Sequence, residues 1–83
     1  MWHFGIDAIA DPQVLPRIAG FFAQRSIVPA LMKAQVDDDR LRIEIAVDTM
    51  DRHQAECCAA KLREGFTILA VRVYRHERLV AAA

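Results

Sequence analysis

Five side chains could serve soft-metal chemistry: Cys57, Cys58, His3, His53 and His76. Thiolates and imidazoles are the ligands zinc and copper favour, provided several of them converge on one point. Cys57 and Cys58 are adjacent, and successive helical residues point about 100° apart, so they share one ion poorly. Cys58 falls on an apolar stripe, where a thiol acts as a small core side chain. Two neighbouring cysteines cannot bridge each other within a regular helix, which fits a reducing compartment, the cytoplasm. For acid–base work the candidates are Asp7, Glu44 and Asp48, in company with Arg42, Arg72 and Lys33. Mixed charge of this kind on a sheet face normally means solvation and ion pairing. The only serine, Ser26, stands at a helix end with no base beside it. The expectation is a protein without catalytic residues, metal or cofactor.

The chain has 83 residues, of which 54% are hydrophobic and 27% charged. That is the balance of one folded domain, expected over residues 1–80, with 81–83 as a frayed tail. Eleven basic residues offset eleven acidic ones, leaving no net field to attract a phosphate backbone or an anionic lipid surface. The apolar runs are far short of a membrane span, and "MWHFGID" lacks the basic and long apolar parts of a signal peptide.

The elements that must position these groups follow from periodicity. In "WHFGIDAIA", Trp2, Phe4, Ile6 and Ala8 share one face, and His3, Gly5 and Asp7 the other, which is the alternation of a half-buried strand. Asp11-Pro12 reads as an N-cap with proline at the first helical position. Val14, Leu15, Ile18, Phe21 and Phe22 then recur at helical spacing up to a basic end near Arg25-Ser26. "VPALMKAQV" is a second strand, with Pro29 marking it as an edge. "DDDR" (37–40) is a turn, and "LRIEIAVD" is a third strand with Leu41, Ile43, Ile45 and Val47 inward and Arg42, Glu44 and Ala46 outward. A second helix is expected from about Asp51 to Glu64. Asp51 and Gln54 approximate a capping box, Ala55, Cys58, Ala59 and Leu62 form the buried stripe, and Gly65 is the stop. In the last strand, "FTILAVRVY" (66–74), Leu69, Val71 and Val73 are expected on one face, and Ile68, Ala70, Arg72 and Tyr74 on the other.

The order β-α-β-β-α-β with right-handed crossovers is that of an α+β, ferredoxin-like sandwich. Its four antiparallel strands run 4-1-3-2, with both helices on one face. Copper carriers of this topology place a Cys-x-x-Cys in the first β-α turn, which here reads "AIADPQ". RNA-binding domains of this topology stack bases on aromatics of the central strands, where this chain offers His3, Gly5, Asp7, Arg42, Glu44 and Ala46. No nucleic acid and no membrane is therefore expected as a partner. The second strand is more informative. Pro29, Ala30, Leu31, Met32, Lys33 and Ala34 form an edge with one protecting lysine. Such an edge either pairs with a second copy, giving a homodimer, or is twisted or covered by a loop.

The stretch "ADPQVLPRIAGFFAQRSIVPALMKAQ" resembles the opening of an ACT domain, especially that of the single-domain small subunits of acetolactate synthase. In that family a strand leads into Asp or Asn, then Pro-Gly-x-Leu, then a helix ending Phe-x-x-Arg-Gly. Asp11-Pro12, Leu15, Ile18, Phe22 and Arg25 match, whereas Gln13 and Ser26 stand where glycines are expected. The resemblance implies a dimeric, non-catalytic regulatory module with no cofactor. It implies a role in branched-chain amino-acid biosynthesis, docked on a catalytic subunit. The alternative it leaves is a free-standing sensor of a small amino acid. It places the ligand at the first β-α turn and helix start: Ala10, Asp11, Pro12, Gln13, Val14 and Leu15.

Two prolines in that turn pose a local question. Pro16 has no N–H to give to the carbonyl of residue 12, and its ring crowds that carbonyl. The turn must therefore loosen into a binding site, tighten into a 3₁₀ start, or the helix must begin later.

Overall fold

The computed structural model describes residues 1–65 and 67–75. Phe66 and His76, and the tail expected at 81–83, lie outside the described residues.

The alternation at the start of the chain becomes β1 (Trp2–Ile9), with Trp2, Phe4, Ile6 and Ala8 all buried. It is followed by α1 (Val14–Gln24), β2 (Leu31–Asp37), β3 (Arg40–Val47), α2 (Arg52–Arg63) and β4 (Ile68–Arg75). The sheet order is β2-β3-β1-β4 and all three pairings are antiparallel, which is the expected 4-1-3-2 order read from the other edge. The inward faces of β1 and β3 meet Val14, Ile18 and Phe22 of α1 and Ala55, Cys58, Ala59 and Leu62 of α2 in one core. Each strand supplies alternate residues and each helix every third or fourth, so one apolar layer closes between sheet and helices.

The start of α1 resolves the two prolines. The helix begins at Val14, two residues later than Pro12. The Asp11 carboxylate accepts from the Gln13 amide at 2.8 Å, and its carbonyl accepts from Val14 N at 3.1 Å. The first full helical bond runs from Arg17 N to the Gln13 carbonyl. Pro16 is thus the third helical residue, whose N–H would have had no partner in the helix anyway. Asp11 caps a turn, while Gln13 takes the N-cap position with no side-chain cap of its own.

The other end of α1 is held by Arg25. Its Nη1 donates to the Phe21 carbonyl at 3.1 Å, and its guanidinium lies 3.7 Å from the centre of the Phe21 ring. Ser26 follows with φ of 56°, the left-handed region that costs an ordinary residue about 1–2 kcal/mol and glycine nothing. Ser26→Gly is therefore expected to stabilise the domain by about 0.5–1 kcal/mol, after allowing for the greater chain entropy of unfolded glycine. Calorimetry should read this as a rise in Tm of about 2–8 °C. An unchanged or lower Tm would show that Ser26 makes a compensating contact.

At α2 the capping box is complete. Asp51 Oδ1 accepts from Gln54 N at 2.8 Å, and Asp51 N donates to Gln54 Oε1 at 3.0 Å. Gly65 follows the C-cap, Glu64, but without the positive φ expected of a glycine stop.

Two expectations about faces and two about element bounds are corrected. Leu69, expected to share a face with Val71 and Val73, is 47% exposed whereas Val71 is buried. The register between β1 and β4 shifts at Asp7/Ala8, pairing Asp7 with Ala70 and Ala8 with Ile68, so Leu69 is the extra residue of a bulge and Ile68 packs against the core. Ala46, expected outside, is fully buried on the outer face between its cross-strand partners His3 and Leu31. Pro29 and Ala30 precede β2 instead of opening it. The turn between β2 and β3 narrows to Asp38-Asp39, with Asp38 at φ of 58°.

Candidate functional site

The first β-α turn is short of free donors. The amides of Gln13 and Val14 are bonded to Asp11, Ala10 N donates to the Asp39 carbonyl at 2.8 Å, and Pro12 and Pro16 have no N–H. A helix N-terminus ordinarily receives an anion through such amides. Here the cation at hand is Arg17, one helical turn on, whose Nη2 donates to Gln13 Oε1 at 2.8 Å. Asp11, Gln13, Val14, Arg17 and Thr67 enclose a small cavity of about 120 Å³.

Of the six residues expected at this site, Asp11, Gln13 and Val14 line the cavity. Val14 contributes only its edge, being buried in the core. Ala10 and Pro12 are exposed beside it, and Leu15 is half-buried against the core. Sequence reasoning did not include Arg17 or Thr67. Arg17 was findable, since it lies four residues after Gln13 on one helical face. Thr67 reaches the turn only through β4, its carbonyl accepting from Ile9 N at 3.0 Å.

The six residues expected at the edge, Pro29, Ala30, Leu31, Met32, Lys33 and Ala34, lie along the open side of the sheet, and every residue of β2 is exposed. Met32, Ala34 and Val36 pair with the buried residues Ile45, Ile43 and Leu41, so they belong to the helix-side face. They nevertheless remain in solvent, Met32 at 40% and Val36 at 65%, because the helix layer stops short of β2. The opposite edge is guarded differently. β4 carries a bulge, Arg63 Nη2 occupies the Val71 carbonyl at 2.8 Å, and Arg72 and Arg75 project from the strand.

On the outer sheet face the expected mixed charges do come together. Arg72 reaches Asp7 at 3.3 Å and lies over Gly5, where an added Cβ would meet its Nη2 at 3.2 Å. Lys33 faces Glu44 and Asp7 faces Arg42 across the strands, whereas Asp48 lies beyond β3. His3 stacks on Tyr74 at 5.2 Å. Among the described residues this is one ion pair, Asp7–Arg72, with other opposite charges set side by side on a solvated face.

Cys58 is buried on the α2 stripe. Burial pushes its thiol above the usual range, Arg25 partly opposing this and Cys57 reinforcing it. Cys57 is exposed, 3.6 Å from His53 Nε2. Among the described residues no three His, Cys, Asp or Glu side chains converge as metal ligands, and no helix is long and apolar enough to cross a membrane.

The profile of the ACT-like domain family matches residues 1–80. The chain belongs to that family. ACT domains are regulatory, ligand-binding modules, and the β2 edge and first β-α turn described above are features of this ACT domain.

No curated protein matches its sequence. Among solved structures it is similar to the ACT domain of GTP pyrophosphokinase from Chlorobium tepidum, with a TM-score of 0.76 at 11% identity over 88% of this chain and 95% of that one. It is also similar to a formyltetrahydrofolate deformylase from Pseudomonas putida, with a TM-score of 0.73 at 13% identity. A third likeness is to the regulatory subunit of aspartate kinase from Thermus thermophilus, with a TM-score of 0.68 at 15% identity. This chain covers 29% of the deformylase and 50% of the aspartate kinase subunit. At such identities the likeness is one of fold.

Proposed function

We propose that this ACT protein is a non-catalytic regulatory subunit that dimerises through β2 and modulates an enzyme of amino-acid metabolism of the acetolactate-synthase type. The observation that carries the reading is the uncovered β2 edge, apolar on its helix side and protected by a single lysine. Edge pairing would join two four-stranded sheets into one of eight strands and bury Met32, Ala34 and Val36 against their copies. The match of Asp11-Pro12, Leu15, Ile18, Phe22 and Arg25 to the small-subunit pattern supports the partner class. Adding the chain to an acetolactate synthase catalytic subunit is the test. A rise in kcat and co-elution of the two chains are expected. Absence of both rules this partner out.

A second reading, a free-standing amino-acid sensor, is favoured by the cavity at the first turn. Gln13 occupies the position of the family's glycine, and its amide oxygen already engages Arg17. The wild-type chain is therefore expected to respond weakly in a thermal-shift screen of the twenty amino acids. Gln13→Gly frees the Arg17 guanidinium for a carboxylate and should enlarge the response. No response from either chain rejects the sensor reading.

A further inference from the structure

We propose that the groove between the start of α1 and the end of α2 is a second binding site, specific for a small apolar monocarboxylate, and complete within one protomer. The groove holds about 300 Å³ and is floored by Val14, Ile18, Phe21, Leu62 and Ile68. That volume is at the lower end of small-molecule pockets and too small for a docking helix.

Three charged side chains stand at its rim, and their pairing selects the ligand. Lys61 and Glu64 neutralise each other at 3.7 Å. Among the described residues Arg17 has only the neutral amide oxygen of Gln13 as a side-chain partner, so it is the rim cation that none of their carboxylates pairs. One guanidinium held by a neutral amide alone, above an apolar floor, complements one carboxylate attached to a short hydrocarbon body. A dianion would leave its second charge unanswered, and a neutral molecule would leave Arg17 as it is.

The position of the groove separates it from the proposed dimer. It is built from both helices and the start of β4, and β4 is the sheet edge opposite β2. The site therefore does not depend on the regulatory reading, and pairing through β2 leaves it open. Arg17 and Thr67 also border the smaller cavity at the first turn, so a ligand in the groove draws on the same guanidinium that the amino-acid reading uses.

The experiment is a methyl NMR titration of the full chain with 4-methylpentanoate, and in parallel with 4-methylpentan-1-ol, which keeps the hydrocarbon and lacks the charge. Saturable shifts of the Val14, Ile18, Leu62 and Ile68 methyls by the acid are expected, with the alcohol at least about tenfold weaker. Arg17→Gln should lower the affinity for the acid to that for the alcohol and leave the alcohol unchanged. A Met32→Asp chain should give the same acid titration as wild type, whatever becomes of the dimer or of any synthase response. The proposal is overturned if millimolar acid moves none of these methyls, or if acid and alcohol bind alike. It is equally overturned if Arg17→Gln leaves acid binding intact, or if the shifts occur only in a dimer.

Discussion

Met32→Asp is expected to turn a dimer into a monomer without loosening the fold. Met32 sits in the middle of the β2 edge, opposite Ile45 and outside the core, with 40% of its surface in solvent. An aspartate there is hydrated in the monomer and costs the fold little. In a two-fold pairing of β2 with β2 the same carboxylate is buried twice, with no basic group opposite it. Stranding a charge in an interface costs on the order of 2–5 kcal/mol per site. Two such sites raise the dissociation constant by a factor of at least about a thousand. Light scattering should give twice the chain mass for wild type at about tens of micromolar, ample for a micromolar dimer, and the chain mass for the variant. Leu31→Asp should behave likewise. Leu69→Asp supplies the contrast, because Leu69 is somewhat more exposed than Met32 but lies in the bulge of the guarded β4 edge, and its dimer should persist. A monomeric wild type, or dissociation caused by Leu69→Asp alone, would refute pairing through β2.

The parts of this fold legible in the sequence are those where one local rule acts alone. β1 and β3 lie at the centre of the sheet with one face buried throughout, so alternate apolar residues mark that face from Trp2 to Ala8 and from Leu41 to Val47, and only the small residues Gly5 and Ala46 are covered on the other face as well. The capping box at Asp51 and Gln54 is closed over four residues and needs no other part of the chain. Where two rules compete, the reading slips. Asp11-Pro12 looks like a helix start, but Pro16 tolerates only a helix in which its missing N–H is among the first-turn orphans, and that constraint moves the start to Val14. At Leu69 a bulge reverses the alternation, and nothing in "TILAV" announces it. The site divides in the same way. Asp11 and Gln13 are local and were visible. Arg17 is one turn away and reads as an ordinary solvated residue until its bond to Gln13 is seen. Thr67 and Ile68 arrive by topology, when the start of β4 and the residue before it are laid beside the end of β1.

The largest loss of stability is expected from Phe22→Ala, at a residue that lines neither candidate cavity. Phe22 is 1% exposed and meets Phe4 edge-to-face at 5.7 Å, which ties α1 to the central strand β1. It also packs edge-to-face on Phe21 at 5.2 Å. Removing a buried phenyl ring costs about 3–5 kcal/mol, from lost transfer energy together with the cavity left behind. An 83-residue domain has on the order of 4–12 kcal/mol in all. No disulfide links the two cysteines to make up the difference. Urea titration should therefore find a midpoint lowered by about one-quarter or more, and at the weaker end of the range a partly unfolded chain in buffer. Phe21→Ala should cost visibly less, because that ring is half-buried and borders the groove instead of filling the core. A loss below about 1 kcal/mol for Phe22→Ala would mean that α1 is not seated on β1 as described. Both cavities would then lose their shared wall, since Val14 and Arg17 belong to that helix. The ring whose loss costs the fold most and its two candidate cavities thus rest on the same eleven-residue helix.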